Sequence, residues 1–112
     1  MKNIYLSFAS LFLVTMAFAH PPKSVKLIYN KSEKSMSIDA EHKVKDPKDH
    51  YIKEITVFIN GVKQEGVALT SQTSVEREEY NYKIGELKSG DKIKVTATCN
   101  KFGSKSQEIT IE

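Results

Sequence analysis

The sequence predicts an all-β domain, and three observations carry that prediction. Hydrophobic residues recur with a period of two, turn signals interrupt them at short intervals, and no apolar stripe has helical spacing. Side chains along a strand point alternately to opposite faces, so this alternation marks strands with one face buried.

Taken in order, Val25, Leu27 and Tyr29 alternate with Lys26, Ile28 and Asn30. Met36, Ile38 and Ala40 then alternate with Ser35, Ser37 and Asp39, so two strands meet around a turn over 30–34. Ile52, Ile55, Val57 and Ile59 form a β-branched run ending at Asn60-Gly61. That dipeptide suits a two-residue hairpin because both of its positions tolerate positive φ, and residues 62–69 supply the returning strand. Over 74–84, Tyr80, Tyr82 and Ile84 share one face with charge on the other. Residues 87–91 form a turn, Ile93, Val95, Ala97 and Cys99 line one face of the next strand, and Ile109 and Ile111 close the chain. Seven short strands without a helix predict a seven-stranded immunoglobulin-like β-sandwich.

Residues 1–19 read as a signal peptide. Lys2 supplies the charge, an apolar run extends from Leu6 through Phe18, and Ala17-Phe18-Ala19 has the small-x-small pattern of a cleavage site. The expected mature chain is one domain over 20–112, beginning at His20 and located in the periplasm or secreted. The run is too short for a stable span, and no cysteine follows it to take a lipid, so no membrane attachment is expected after cleavage. The formal net charge of +3 falls by one when Lys2 is removed. The remaining surface mixes lysine and glutamate, which excludes nucleic acid and anionic membrane as expected targets.

Donor chemistry is concentrated in few residues. The chain has three histidines, His20, His42 and His50, and a single cysteine, Cys99. A lone cysteine forms no internal disulfide, so Cys99 is buried, metal-bound or a reactive thiol. Imidazoles and a thiolate together are a transition-metal donor set. The alternative readings are a terminal residue for His20, loop histidines around Asp46-Pro47 for His42 and His50, and a small buried hydrophobe for Cys99. Tyr51, Tyr80 and Tyr82 read as core and edge aromatics. No phosphate loop, Ser-His-Asp set or paired acidic motif provides for hydrolysis.

The order of these residues resembles a known family. Glu41-His42, a loop, His50-Tyr51-Ile52 leading into a strand and the Asn60-Gly61 hairpin, then Gly90-Asp91-Lys92 and a strand ending in Cys99-Asn100-Lys101-Phe102-Gly103, look like the iron-binding domain of desulfoferrodoxins and superoxide reductases. The likeness spans most of 20–112 and implies an immunoglobulin-like sandwich. It also implies a mononuclear ferrous site with four equatorial histidines and an axial cysteine thiolate. By this resemblance the ligands here are His20, His42, His50 and Cys99, the activity is reduction of superoxide, and the partner is a small redox electron donor. Phe102 stands where the family has its fourth histidine, Lys43 follows His42 where the family has proline, and the loop from His42 to His50 is longer. With Phe102 as an apolar plug in the vacated position, the site would be vestigial.

Two other functions fit the same residues. Related domains serve as non-catalytic partner subunits in periplasmic sulfur-oxidation complexes, which would make this chain a binding module without a metal cofactor. Cleavage before His20 would instead pair its α-amino nitrogen with its ring Nδ1, a chelate suited to copper with His42 or His50 as a third donor.

Overall fold

The computed structural model describes residues 20–112, so the signal peptide expected over 1–19 lies outside the described residues. Eight strands and no helix occur among the described residues: β1 (Ser24–Asn30), β2 (Ser35–Glu41), β3 (Ile52–Ile59), β4 (Val62–Lys63), β5 (Val67–Ala68), β6 (Arg77–Tyr82), β7 (Lys92–Cys99) and β8 (Ser104–Thr110). They form two antiparallel sheets. One has the order β1-β2-β6, and the other runs β4-β3-β7-β8 with β5 also paired to β3.

The predicted returning strand over 62–69 is two pieces, and this interruption raises the count from seven to eight. The Asn60-Gly61 hairpin forms as expected, with φ of 51° and 83° and Ile59 opposite Val62. The backbone then leaves the ladder around Gly66. Instead of pairing with β3, the Glu65 carbonyl accepts a 2.7 Å hydrogen bond from the Tyr82 hydroxyl.

The inner faces of both sheets share one core of Val25, Met36, Ile38, Ala40, Ile52, Ile55, Val57, Leu87, Ile93, Val95 and Ala97. Alternation explains most of it, since each strand turns every second residue inward. Two departures occur towards the end of the fold that holds the histidines. The β3–β7 register shifts between Ile52 and Glu54, a bulge that keeps Ile52 opposite Cys99 while Ile55 pairs with Ala97. The expectation that charge on the 74–84 strand faces away from the core also needs correction. Glu78 shares parity with Tyr80 and Tyr82 and is buried, accepting the Thr73 backbone N–H at 2.9 Å. Burial pushes its carboxyl above the ordinary range.

Ile55 is fully buried on the central strand pair. Replacing Ile55 by alanine removes three carbons from a close-packed core and is expected to cost about 2–5 kcal/mol in chemical denaturation. An unchanged denaturation midpoint would contradict this placement.

Candidate metal centre

Four short segments converge at one end of the fold. His42 follows β2 directly, and its N–H donates to the Glu76 carbonyl at 2.9 Å while that of Val44 donates to Val75 at 2.7 Å. These bonds carry the chain past the strand end and bury His42, which is 1% exposed. The expected loop from His42 to His50 therefore begins in the interior.

His50 is positioned by a turn centred on Asp46. The Asp46 carboxylate accepts the Lys48 N–H at 3.0 Å, and its carbonyl accepts those of Asp49 at 3.0 Å and His50 at 2.9 Å. Aspartate favours such turns because its short side chain reaches the backbone two residues on. The strand beginning at Ile52 then fixes the turn to the central sheet.

Cys99 ends β7 opposite Ile52 and is 3% exposed. Its sulfur lies 3.2 Å from His50 Nε2 and accepts the Lys101 N–H at 3.3 Å. Asn100 ties this turn to the histidine segment from both sides. Its Oδ1 accepts the Tyr51 N–H at 2.9 Å, its Nδ2 donates to the Asp49 carbonyl at 3.0 Å, and its backbone N–H donates to Tyr51 at 3.0 Å.

His20 arrives from the other sheet. Lys23 extends the β1–β2 ladder by donating to the Glu41 carbonyl at 2.8 Å, and Pro21 lies against Gly103. A Cβ on Gly103 would stand 2.8 Å from the Pro21 Cβ, and Gly103 has φ of +79°. Both facts require glycine there. The last residue of the cysteine turn is thus the seat of the arm that carries His20.

The three imidazoles meet with ring centroids 4.7 to 5.3 Å apart. One donor nitrogen from each lies within 4.8 Å of the others. A nitrogen about 2.1 Å and a sulfur about 2.3 Å from a common metal are roughly 3.1–3.6 Å apart when adjacent. The His50–Cys99 separation of 3.2 Å falls within that interval, although the group whose ligand atoms all lie within 4.8 Å of one another is the three histidines without Cys99. His20 directs Nδ1 to the Pro21 carbonyl at 3.1 Å. A carbonyl only accepts, so Nδ1 donates and Nε2 keeps the lone pair.

The surroundings of His50 favour its neutral imidazole. Burial lowers the His50 pKa below the ordinary histidine value, and repulsion from His42, His20 and Lys101 lowers it further against the opposing pull of Asp49. A shallow cavity of about 200 Å³ opens beside the cluster, lined by His20, Lys23, Glu41, His42 and Lys43.

Two residues alter the picture drawn from sequence. Phe102 is 55% exposed, so it does not plug a vacated ligand position. Gln72 gave no signal in the sequence, because it lies between strands in a polar stretch, yet its Oε1 is 2.8 Å from His42 Nδ1. Compared with known protein families, with curated proteins and with solved structures, the chain matches none.

Gly103→Ala is expected to displace Pro21 and with it His20, because the added methyl overlaps a rigid proline ring. The His20 ring resonances should shift while those of β3 stay in place in NMR spectra of the metal-free protein. Unmoved His20 resonances would contradict the seat. The His50 shift fixes a pH window. A histidine whose folded pKa lies below its unfolded value of about 6.5 favours folding when neutral. That stability is present above about 6.5 and is lost as pH falls through the folded value. NMR titration of the metal-free chain should place the His50 midpoint below 6.5.

Proposed function

We propose that this chain is an exported mononuclear metal protein that holds iron on His20, His42, His50 and Cys99 and acts on superoxide. The observation that carries the proposal is the convergence of three imidazole nitrogens within 4.8 Å, with the Cys99 sulfur 3.2 Å from His50 Nε2. Counting Val62–Lys63 and Val67–Ala68 as one interrupted strand leaves seven, the number in an immunoglobulin-like sandwich. On this reading the sheets supply a rigid frame, and the ligands come from segments at one end of it.

The donor set fits the ion. Three nitrogens and one thiolate would hold a borderline metal without satisfying every position around it. When bound, a ferrous ion would supply the electron that reduces superoxide, with two protons completing hydrogen peroxide. The residues do the rest. His42 is held from behind by Gln72, and His50 and Cys99 face each other across a gap suited to adjacent ligands. A metal would take Cys99 as the thiolate and His50 as the neutral imidazole, so its affinity is expected to rise with pH. Lys101 places its backbone N–H on the sulfur, and hydrogen bonds of this kind tune thiolate donation.

The exposure of Phe102 supports a working site over a vestigial one, because its side chain is not buried as a plug would be. The copper chelate has less support. It needs His20 Nδ1, which is turned to the Pro21 carbonyl.

The test is metal content and an absorption spectrum of the chain beginning at His20, prepared without tag or chelator, reloaded with Fe(II) and mildly oxidised. Near-stoichiometric iron with a visible thiolate-to-metal band, lost in Cys99→Ser, is the expected result. Failure to take up iron on reloading would overturn the proposal, and copper binding without the band would transfer the site to the N-terminal chelate.

A further inference from the structure

Gln72 is 6% exposed, and each of its side-chain polar atoms is paired. Nε2 donates to the His42 carbonyl at 2.7 Å and to the Ser74 carbonyl at 2.9 Å. Two carbonyls facing one end of an amide identify that end as NH2, since a flipped amide would set oxygen against oxygen. The other end, Oε1, is therefore the acceptor that faces His42 Nδ1 at 2.8 Å. It follows that Nδ1 carries a proton. In the neutral ring Nε2 then has only a lone pair.

The surroundings of Nε2 make that assignment consequential. Its neighbour is the His20 carbonyl oxygen at 3.4 Å, which has no hydrogen to donate. If the ring held its proton on Nε2 instead, this carbonyl would accept it and mask the nitrogen. Two tautomers thus compete for His42, one supported by Gln72 and one by the His20 carbonyl. The shorter contact favours the first.

The loop around Gln72 is built to hold it there. Its N–H donates to the Pro47 carbonyl at 3.0 Å, which links it to the turn that carries His50. Thr73 is bonded through its N–H to Glu78 and through its hydroxyl to the Glu79 backbone, and the Ser74 hydroxyl accepts the N–H groups of Glu76 and Arg77. Few degrees of freedom remain for the amide.

We infer that Gln72 is a positioning residue that locks His42 in the Nδ1–H tautomer and so presents the Nε2 lone pair to the metal shared with His20 and His50. The metal half of this inference rests on the function proposed above, whereas the tautomer half does not. A neutral amide does this without bringing another negative charge to a site where a bound metal would already take a thiolate. Supporting hydrogen bonds to ligand histidines are commonly worth 10- to 100-fold in metal affinity.

The experiment uses two variants of the chain beginning at His20. Gln72→Met keeps the length and flexibility of the side chain but neither accepts nor donates strongly, whereas Gln72→Glu keeps an acceptor towards Nδ1. Long-range 1H–15N NMR at pH 8 on metal-free protein reads the tautomer, and anaerobic Fe(II) titration reads affinity. The wild type is expected to show His42 as Nδ1–H. Gln72→Met should move the ring towards Nε2–H and weaken Fe(II) binding by about 10- to 100-fold, and Gln72→Glu should retain Nδ1–H even though its second oxygen faces the His42 and Ser74 carbonyls. An Nε2–H tautomer in the wild type would overturn the inference even if Gln72→Met fails to fold, as would an unchanged tautomer in a folded Gln72→Met. Wild-type protein that shows Nδ1–H but binds no Fe(II) would remove the metal half and leave the tautomer lock standing.

Discussion

The pairing of Ile52–Ile59 with Lys92–Cys99 is the constraint from which the site follows. These two strands contribute six of the eleven residues of the core, Ile52, Ile55, Val57, Ile93, Val95 and Ala97. Burying their β-branched faces sets the register, because a slip by one residue would turn every inward side chain outward. The bulge between Ile52 and Glu54 then places Ile52 opposite Cys99 at the end of the ladder. His50 and the thiol are neighbours because the strands behind them have no other favourable alignment.

The second sheet brings the remaining donors to the same end. His42 leaves β2 and His20 precedes β1, two strands in register with each other from Ser24 opposite Glu41 onwards. Their shared core with β3 and β7 fixes the relation between sheets. Contact at the functional end is made by Gly103, which accepts Pro21 against its bare Cα. A change in this one backbone position reaches His20 through a rigid ring, while Cys99 on the same turn accepts the Lys101 N–H on its sulfur and the next residue, Asn100, accepts the Tyr51 N–H. The site is assembled from both sheets and depends on both.

Polar groups around the site are satisfied as fully as a buried cluster requires. No buried side-chain nitrogen or oxygen lacks a partner among the described residues. Gln72 accounts for much of this, since one amide answers the His42 ring, the His42 carbonyl and the Ser74 carbonyl together. Such a network is costly to break and correspondingly directional. It holds to one tautomer a histidine that in water exchanges its proton between two ring nitrogens.

Sequence by itself determined most of the strands and singled out the three histidines that the fold brings together. Period-two alternation assigns Met36, Ile38, Ala40, Val95 and Ala97 to the interior because burial acts residue by residue on a local pattern. Asn60-Gly61 encodes its hairpin for an equally local reason, the φ values that its two residues accept. Only the tertiary structure decided that the returning strand breaks near Gly66, that Glu78 turns inward, that Phe102 stays exposed and that Gln72 backs His42. The first and the last depend on a partner far along the chain, Tyr82 for the Glu65 carbonyl and His42 for Gln72, which are 17 and 30 residues away. Pairings of that kind are selected by the closure of a whole core and leave no periodic trace in the segments that make them.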